Sequence, residues 1–437
     1  MIDIKIGDCR EKLKELPNNF FHTVITSPPY WGLRDYGTGK WIGGDPNCSH
    51  IAGKSRNDAD REFGTKETLT VQYRDVCKDC GAVREDNQIG MEASPEEYVR
   101  KIVRTFQEVK RVLRDDGTLW LNLGDSYSSG GRTSTTNQSV RGDKDYGVTR
   151  PPVSGSIKPK DLVGIPWRVA LALQEDGWYL RQDIIWHKPN PMPESVKDRC
   201  TKAHEYIFLL SKSEQYYYDS EAIKEDCSED NVKDFLNRKI TNNKGKNVEG
   251  SYDEVRPDLT RDRKDYMPTD FKRNKRSVWT VPVKPYNEAH FAVFPTSLIE
   301  PAILAGCPPK ICSECGTPYE REMVTVEVPE RETRDNMVGV IPKRDKTSRM
   351  NSKDMKSLVQ EDRGFTKNCS CSGSKTSAGR VLDPFGGSGT TALVADRHGR
   401  DATIIELNHK YVDIAETRLG SDAPLFTEIK REVVNES

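Results

Sequence analysis

Two short segments combine residue types whose order could do chemistry. Ser27-Pro28-Pro29-Tyr30-Trp31 follows an apolar run, Thr23-Val24-Ile25-Thr26. Two successive prolines stiffen the backbone and carry no N–H, so the stretch predicts a rigid array of free carbonyl acceptors beside the Ser27 hydroxyl. Such an array suits the two hydrogens of an exocyclic amine. Tyr30 and Trp31 offer flat faces for a base taken out of its stack. Read alone, a Pro-Pro-aromatic turn is more often just a stiff surface loop; its place after a strand, in the company of the second segment, favours chemistry.

That second segment runs Val381-Leu382-Asp383-Pro384-Phe385-Gly386-Gly387-Ser388-Gly389-Thr390-Thr391 and reads as a strand entering a tight glycine turn, with a helix over 392–398. The next strand, Thr403-Ile404-Ile405, ends at Glu406. Glycines let the backbone approach a ligand closely. An acid about 20 positions beyond such a loop, at a strand tip, is placed to accept hydrogen bonds from ribose hydroxyls. A phosphate loop would carry Lys before the Thr, and Ser388-Gly389-Thr390 has none. The acidic Asp383 also disfavours a pyrophosphate and favours a cationic ammonium or sulfonium ligand such as S-adenosylmethionine.

A third set of residues has metal-ligand spacing. Cys48-x-His50 and Cys77-x-x-Cys80 lie in one polar stretch, Cys312-x-x-Cys315 and Cys369-x-Cys371 in another. Each Cys-x-x-Cys is followed by Gly, as in a zinc-ribbon knuckle, and each stretch supplies four N/S ligands. The expectation is two structural Zn²⁺ sites, Cys48/His50/Cys77/Cys80 and Cys312/Cys315/Cys369/Cys371. The bland alternative is free thiols on loops. Cys9, Cys200, Cys227 and Cys307 stand apart, and His187 and His204 have no partner at ligand spacing.

The elements that must position these groups alternate. Residues 1–36 read strand, helix, strand, loop. In 94–125, Ser94 is an N-cap with Pro95 at N1 and Glu97 at N3. Val99, Ile102, Val103, Phe106, Val109, Val112 and Leu113 follow at helical spacing. Asp116-Gly117 predicts a turn into Thr118–Leu123. A helix around 166–173 precedes two strand-like runs, Asp183-Ile184-Ile185-Trp186 and Glu205–Leu210, and a further helix covers 298–304. Strands alternating with helices argue for a mostly parallel α/β sheet covered on both faces. Between the blocks lie 37–93, 126–160, 220–277 and 307–379. Residues 221–280 hold 14 basic and 13 acidic side chains, which reads as a solvated loop or as a surface that tracks phosphates.

Composition agrees. The chain has 437 residues, 67 Lys+Arg against 68 Asp+Glu, and only 35% hydrophobic residues against 31% charged. Globular domains usually hold roughly 45–50% apolar residues, so much of this chain must lie in solvated insertions. The balanced charge excludes a uniformly basic DNA-coating protein, and any nucleic-acid surface is local. No run of about 18 apolar residues predicts a membrane span. Met1–Ile6 alternates like a strand rather than a signal peptide. With paired cysteines of metal-ligand type, that predicts a cytoplasmic protein.

Thr26-Ser27-Pro28-Pro29-Tyr30 together with Asp383-Pro384-Phe385-Gly386-Gly387-Ser388-Gly389 resembles the DNA amino-methyltransferases of restriction–modification and phage systems. The order, catalytic motif first and cofactor motif last, is similar to the β group. Ile6-Gly7-Asp8, Gly117–Asn122, Ile184–Asn190, His204-Glu205 and Phe291–Pro295 extend the match. The resemblance implies a Rossmann-like S-adenosylmethionine-dependent methyltransferase sheet, to which the cysteine spacing adds zinc-ribbon-like insertions. Residues 1–36 and 94–219 would form the catalytic half, and 278–306 with 380–437 the cofactor half. Residues 37–93 and 307–379 would be the two zinc-bearing insertions, and 220–277 would recognise the target.

It further implies that Ser27, Pro28, Pro29 and Tyr30 are catalytic, with Tyr30 and Trp31 stacking on the base. Asp383, Pro384, Phe385, Gly387, Gly389 and Thr390 would line the cofactor, with Glu406 on its ribose. Asp8 and Phe294 would approach its adenine, although helix capping explains Asp8 and core packing explains Phe294 equally well. Double-stranded DNA is the implied partner, with a cognate restriction endonuclease possible. Family members with Ser at the first motif position commonly methylate cytosine N4, and many with Asp or Asn methylate adenine N6. Ser27 thus tilts the expectation to cytosine N4, with adenine N6 the alternative. A zinc-ribbon DNA-binding protein with an inert core is the alternative of another class, and an RNA or protein acceptor a weaker one. Methylation at cytosine C5 needs a thiolate, usually after a proline, and no Pro-Cys pair occurs.

Overall fold

The computed structural model describes residues 1–32, 39–54, 70–72, 76–85, 88–128, 157–228, 272–283, 294–329, 356–422 and 428–432. Of the expected recognition region 220–277, residues 229–271 lie outside the described residues, as do 129–156 of the loop 126–160 and 291–293 of the Phe291–Pro295 run.

Nine strands form one sheet: β1 (Ile2–Ile6), β2 (Phe21–Thr26), β3 (Leu113–Leu123), β4 (Tyr179–His187), β5 (His204–Ser211), β6 (Val278–Thr280), β7 (Arg380–Asp383), β8 (Asp401–Glu406) and β9 (Ile429–Arg431). Their spatial order is β6-β4-β5-β3-β2-β7-β8-β1-β9. All neighbours are parallel except β5, which runs antiparallel to β3 and β4. The mostly parallel α/β sheet expected from the sequence is therefore present. At its centre β2 is buried at every position, as a strand covered on both faces must be.

Helix α1 (Cys9–Lys12) follows β1, and α2 (Pro95–Val112) precedes β3. Ser94 Oγ accepts the Glu97 N–H at 3.2 Å, and Tyr98, Ile102, Phe106, Val109 and Val112 form the buried stripe. Helix α3 (Ile165–Glu175) shares that core, where both meet Leu119, Leu121 and Leu123 of β3. The expected turn at Asp116-Gly117 is instead an irregularity inside β3: Leu113 pairs with Phe21, and Thr118 already pairs with Thr23. The strand absorbs the extra residues there and keeps its pairing.

Successive residues of β3 point to opposite faces, so Thr118 and Trp120 face the other way, toward α4 (Thr296–Gly306). This helix lies very close to the sheet. A Cβ on Gly306 would come within 2.7 Å of Thr118 Oγ1 and Trp120 Nε1, and 3.0 Å of Thr23 Oγ1. Helices α5 (Thr390–Arg397) and α6 (His409–Asp422) follow β7 and β8. Among the described residues, no helix is long and apolar enough to cross a membrane.

The chain divides into two compact units. The first comprises 1–218, 276–309 and 377–437 and holds the whole nine-stranded sheet. The stretch 37–93 belongs to it. The second comprises 219–275 and 310–376, so the two later insertions, separate in the sequence, assemble together. Its main feature is an antiparallel ribbon of Tyr319–Pro329 with Lys356–Lys367. The buried Asp219 grips Arg321 of this ribbon in fork geometry, Nε to Oδ1 at 3.0 Å and Nη2 to Oδ2 at 2.9 Å, the strong form of a carboxylate–guanidinium contact.

The tight seat of α4 yields a prediction. Gly306→Ala should cost about 1–3 kcal/mol by overpacking. Urea unfolding should show a lower midpoint with an unchanged slope; an unchanged midpoint would show that the helix shifts freely.

Candidate active site

The central strands β2 and β7 are parallel neighbours, with Thr23 beside Val381 and Val24 beside Leu382. β2 leads on to β3 on one side, and β7 leads to β8 on the other. The two chains part at the carboxyl ends of β2 and β7, the place where open α/β sheets form a ligand crevice. Both segments singled out in the sequence start there.

The glycine loop leaves β7 at Asp383, a buried residue. Thr26 Oγ1 donates to Asp383 Oδ1 at 2.6 Å, Thr391 Oγ1 to Oδ2 at 2.7 Å, and the Phe385 N–H to Oδ1 at 3.0 Å. Burial pushes this carboxyl above its usual range, against the pull of those donors. Expected to face a cationic ligand, Asp383 instead spends its oxygens joining the end of β2 to the glycine loop and the first turn of α5. Thr390, also expected in the lining, is buried, and its Oγ1 accepts from Arg418 at 2.8 Å. It anchors the loop rather than lining the crevice. Pro384 and Gly389 are buried too, while Phe385 and Gly387 are half-exposed.

Gly387 (φ +50°) and Gly389 (φ +75°) adopt left-handed backbone, where L side chains are strained. That turn aims the Gly387 N–H at Glu406 Oε2, 2.8 Å away, while the Asn408 N–H reaches Oε1 at 2.8 Å. With a further backbone hydrogen bond from Leu407, the carboxylate keeps acceptor capacity for about one more donor. Burial raises the Glu406 pKa. β1 runs beside β8, so the Gly7 N–H meets the Glu406 carbonyl at 2.9 Å and brings Asp8 to the same edge. There Asp8 caps α1, accepting the Arg10 N–H at 2.9 Å, and pairs with the Arg10 guanidinium. Capping thus accounts for Asp8. Phe294 is half-buried, directly before the Pro295 cap of α4.

The Ser27–Tyr30 loop leaves β2 under several restraints. Tyr98 Oη donates to the Pro29 carbonyl at 2.9 Å, and the Gly32 N–H to the Gly90 carbonyl at 2.7 Å. Expected free, the Pro29 carbonyl is therefore taken; Ser27 is half-exposed, and Pro28 is buried. Trp31 is only 2% exposed and donates its Nε1–H to the Glu92 carbonyl at 2.9 Å. It belongs to the core and offers no face to a base, contrary to the stacking role expected for it.

Tyr30 lies against Gly124, where a Cβ would come within 2.5 Å of its ring. Its hydroxyl lies 2.8 Å from Glu205 Oε2, 3.1 Å from Asn122 Oδ1 and 3.3 Å from Ser27 Oγ. Glu205 also pairs with Lys188, whose ammonium sits 4.3 Å over the Trp186 ring. Burial and the Glu205 charge push the Tyr30 phenol well up, so it stays protonated. Asn122, Lys188 and Glu205 received no role from the sequence. The available signal was a polar side chain embedded in or next to an apolar strand, as in Leu121-Asn122-Leu123.

Both cysteine sets converge. In each, one ligand atom per residue lies within 4.8 Å of all the others. The Cys48 and Cys77 sulfurs are 3.7 Å apart, and Cys80 Sγ is 3.6 Å from His50 Nδ1. A tetrahedral zinc thiolate centre has sulfur–sulfur edges of about 3.8 Å. The two knuckles share one geometry. The Gly81 N–H bonds the Cys77 carbonyl at 2.8 Å, and the Gly316 N–H the Cys312 carbonyl at 2.9 Å, with positive φ at both glycines.

The family model described as DNA methylase, covering N6 and N4 methyltransferases, matches residues 21–311 and 372–417. The chain is 34% identical over 419 residues to the Type II methyltransferase M.SmaI of Serratia marcescens, covering 95% of this chain and 90% of that one. To the Type II methyltransferase M.Cfr9I of Citrobacter freundii it is 35% identical over 416 residues, covering 95% and 87%. Superposition on the cytosine-N4-specific PvuII DNA methyltransferase gives a TM-score of 0.43 at 15% identity, over 98% of this chain and 94% of that one, too loose a likeness to carry an argument. The family match and the two full-length relatives agree: this chain belongs to the N6/N4 DNA methylase family.

Proposed function

We propose that the chain transfers the methyl group of S-adenosylmethionine to an exocyclic amine in double-stranded DNA, with cytosine N4 the favoured position and adenine N6 the alternative. The observation that carries this reading is the meeting of the Ser27–Tyr30 loop and the glycine loop at adjoining strand ends, joined by the Thr26–Asp383 hydrogen bond. S-adenosylmethionine, when bound, supplies a methyl group already activated on a sulfonium. The half-exposed Phe385 and Gly387 and the spare acceptor capacity of Glu406 fit its sugar and methionine parts, and the acidic pair Asp383 and Glu406 at the loop disfavours a pyrophosphate.

On the other side of the crevice, Ser27 Oγ and the Pro28 carbonyl accept the two amine hydrogens of a base turned out of the duplex. The base stacks on the Tyr30 ring. Holding the nitrogen in line supplies most of the acceleration, because no covalent enzyme intermediate is needed. A neutral Ser27 in the first motif position supports cytosine N4. The cysteine tetrads are proposed to hold structural Zn²⁺, one in each unit.

Three measurements test this. Mass spectrometry of nucleosides from DNA of cells expressing the chain should show 4-methylcytosine. 6-Methyladenine would establish the alternative, and neither base would leave DNA binding by an inert core. Ser27→Ala and Tyr30→Ala should keep cofactor affinity but lower methyl transfer about 10²-fold or more; full activity in both refutes the assignment. Elemental analysis should find two zinc ions per chain, falling to one in Cys80→Ser, and a fully folded, metal-free protein would sink the zinc reading.

A further inference from the structure

A serine hydroxyl is ambivalent: it can donate one hydrogen bond and accept others. Facing a base, it can therefore meet either an amine or a carbonyl. The surroundings of Tyr30 remove that freedom. Asn122 Nδ2 donates to the Tyr206 carbonyl at 3.1 Å, which fixes its amide so that Oδ1 faces Tyr30. Glu205 Oε2 faces the same hydroxyl, and Lys188 holds the other carboxylate oxygen. Two acceptors thus compete for the single Tyr30 hydrogen, and the shorter contact, to the charged Glu205, is the stronger. Toward Ser27, Tyr30 has only a lone pair to offer, so the Ser27 hydrogen must point at Tyr30 across 3.3 Å.

We propose that Tyr30, Asn122 and Glu205 are positioning residues that make Ser27 an obligate hydrogen-bond acceptor, so that the pocket selects a base bearing an amine and rejects its carbonyl counterpart. Both lone pairs of Ser27 Oγ are then left to accept from a ligand. The network gives a neutral serine the acceptor-only character of a carboxylate without its charge. A carbonyl base set against two acceptors would leave its oxygen unpaired in the pocket, the kind of mismatch that discriminates strongly. This inference rests on the amino-methyltransferase reading above and deepens it.

The test first maps the methylated base in DNA modified by the wild-type protein. Equilibrium binding is then measured, with S-adenosylhomocysteine present, to a duplex carrying that site and to the same duplex with the amine replaced by oxygen (uracil for cytosine, hypoxanthine for adenine). The wild type should prefer the amine duplex about tenfold or more. Tyr30→Phe keeps the ring and frees the Ser27 hydrogen, so the preference should fall to about threefold or less, the residue owed to the Pro28 carbonyl. In Glu205→Gln, Lys188 holds the amide oxygen and the NH₂ group turns to Tyr30, so the preference should narrow part of the way; this variant decides the question if Tyr30→Phe does not fold. Wild-type methyl transfer with undiminished discrimination in the folded variants overturns the inference alone. Absence of methyl transfer to DNA by the wild type overturns the proposed function, and the inference with it.

Discussion

The structure depends on one buried carboxylate. Asp383 ends β7, accepts from Thr26 at the end of β2, and accepts from Thr391 in the first turn of α5. A buried carboxylate without donors is costly, so the threonines and the Phe385 N–H have to stay where they are for Asp383 to remain. That requirement fixes the separation of the two loops that make the crevice. One loop carries Ser27 and Tyr30 and the other the glycine turn, and neither could be held at a set distance by its own backbone.

The rest of the crevice shows the same division between groups that hold and groups that face outward. Arg418 holds Ser388 and Thr390, Tyr98 holds Pro29, and Trp31 and Glu92 hold the exit of the acceptor loop. What stays half-exposed among these anchors includes Ser27, Tyr30, Phe385, Gly387 and Glu406. Buried polar groups need partners, and Tyr30, Glu205 and Lys188 supply one another's, with the Asn122 amide held by the Tyr206 carbonyl.

The two cysteine sets lie in different structural settings. Cys48, His50, Cys77 and Cys80 sit in a stretch that leaves the acceptor loop after Gly32 and returns to it at Gly90, where the two glycines are hydrogen-bonded. Within it Lys40–Ile42 pairs with Val83–Glu85. A metal there would close a long polar excursion rooted on the acceptor loop. Cys312, Cys315, Cys369 and Cys371 lie at the base of the ribbon in the second unit, which the Asp219–Arg321 pair binds to the segment beginning at 219. Segments too polar to build a core of their own gain order from such cross-links.

Read alone, the sequence determined the alternation of strands and helices, the Ser94 cap, both loops, the acid at the end of β8 and the membership of each cysteine set. Each of these follows from short-range pattern: periodicity, turn chemistry and ligand spacing act within a few residues. The tertiary structure alone decided that β2 and β7 are neighbours, that Asp383 braces rather than receives, that Trp31 is core, and that the later insertions form one unit. Thr26 and Asp383 are 357 residues apart, and strand order rather than local preference brings them together. A residue's type limits what it can bond, but only its neighbours across the sheet settle which bonds are already taken.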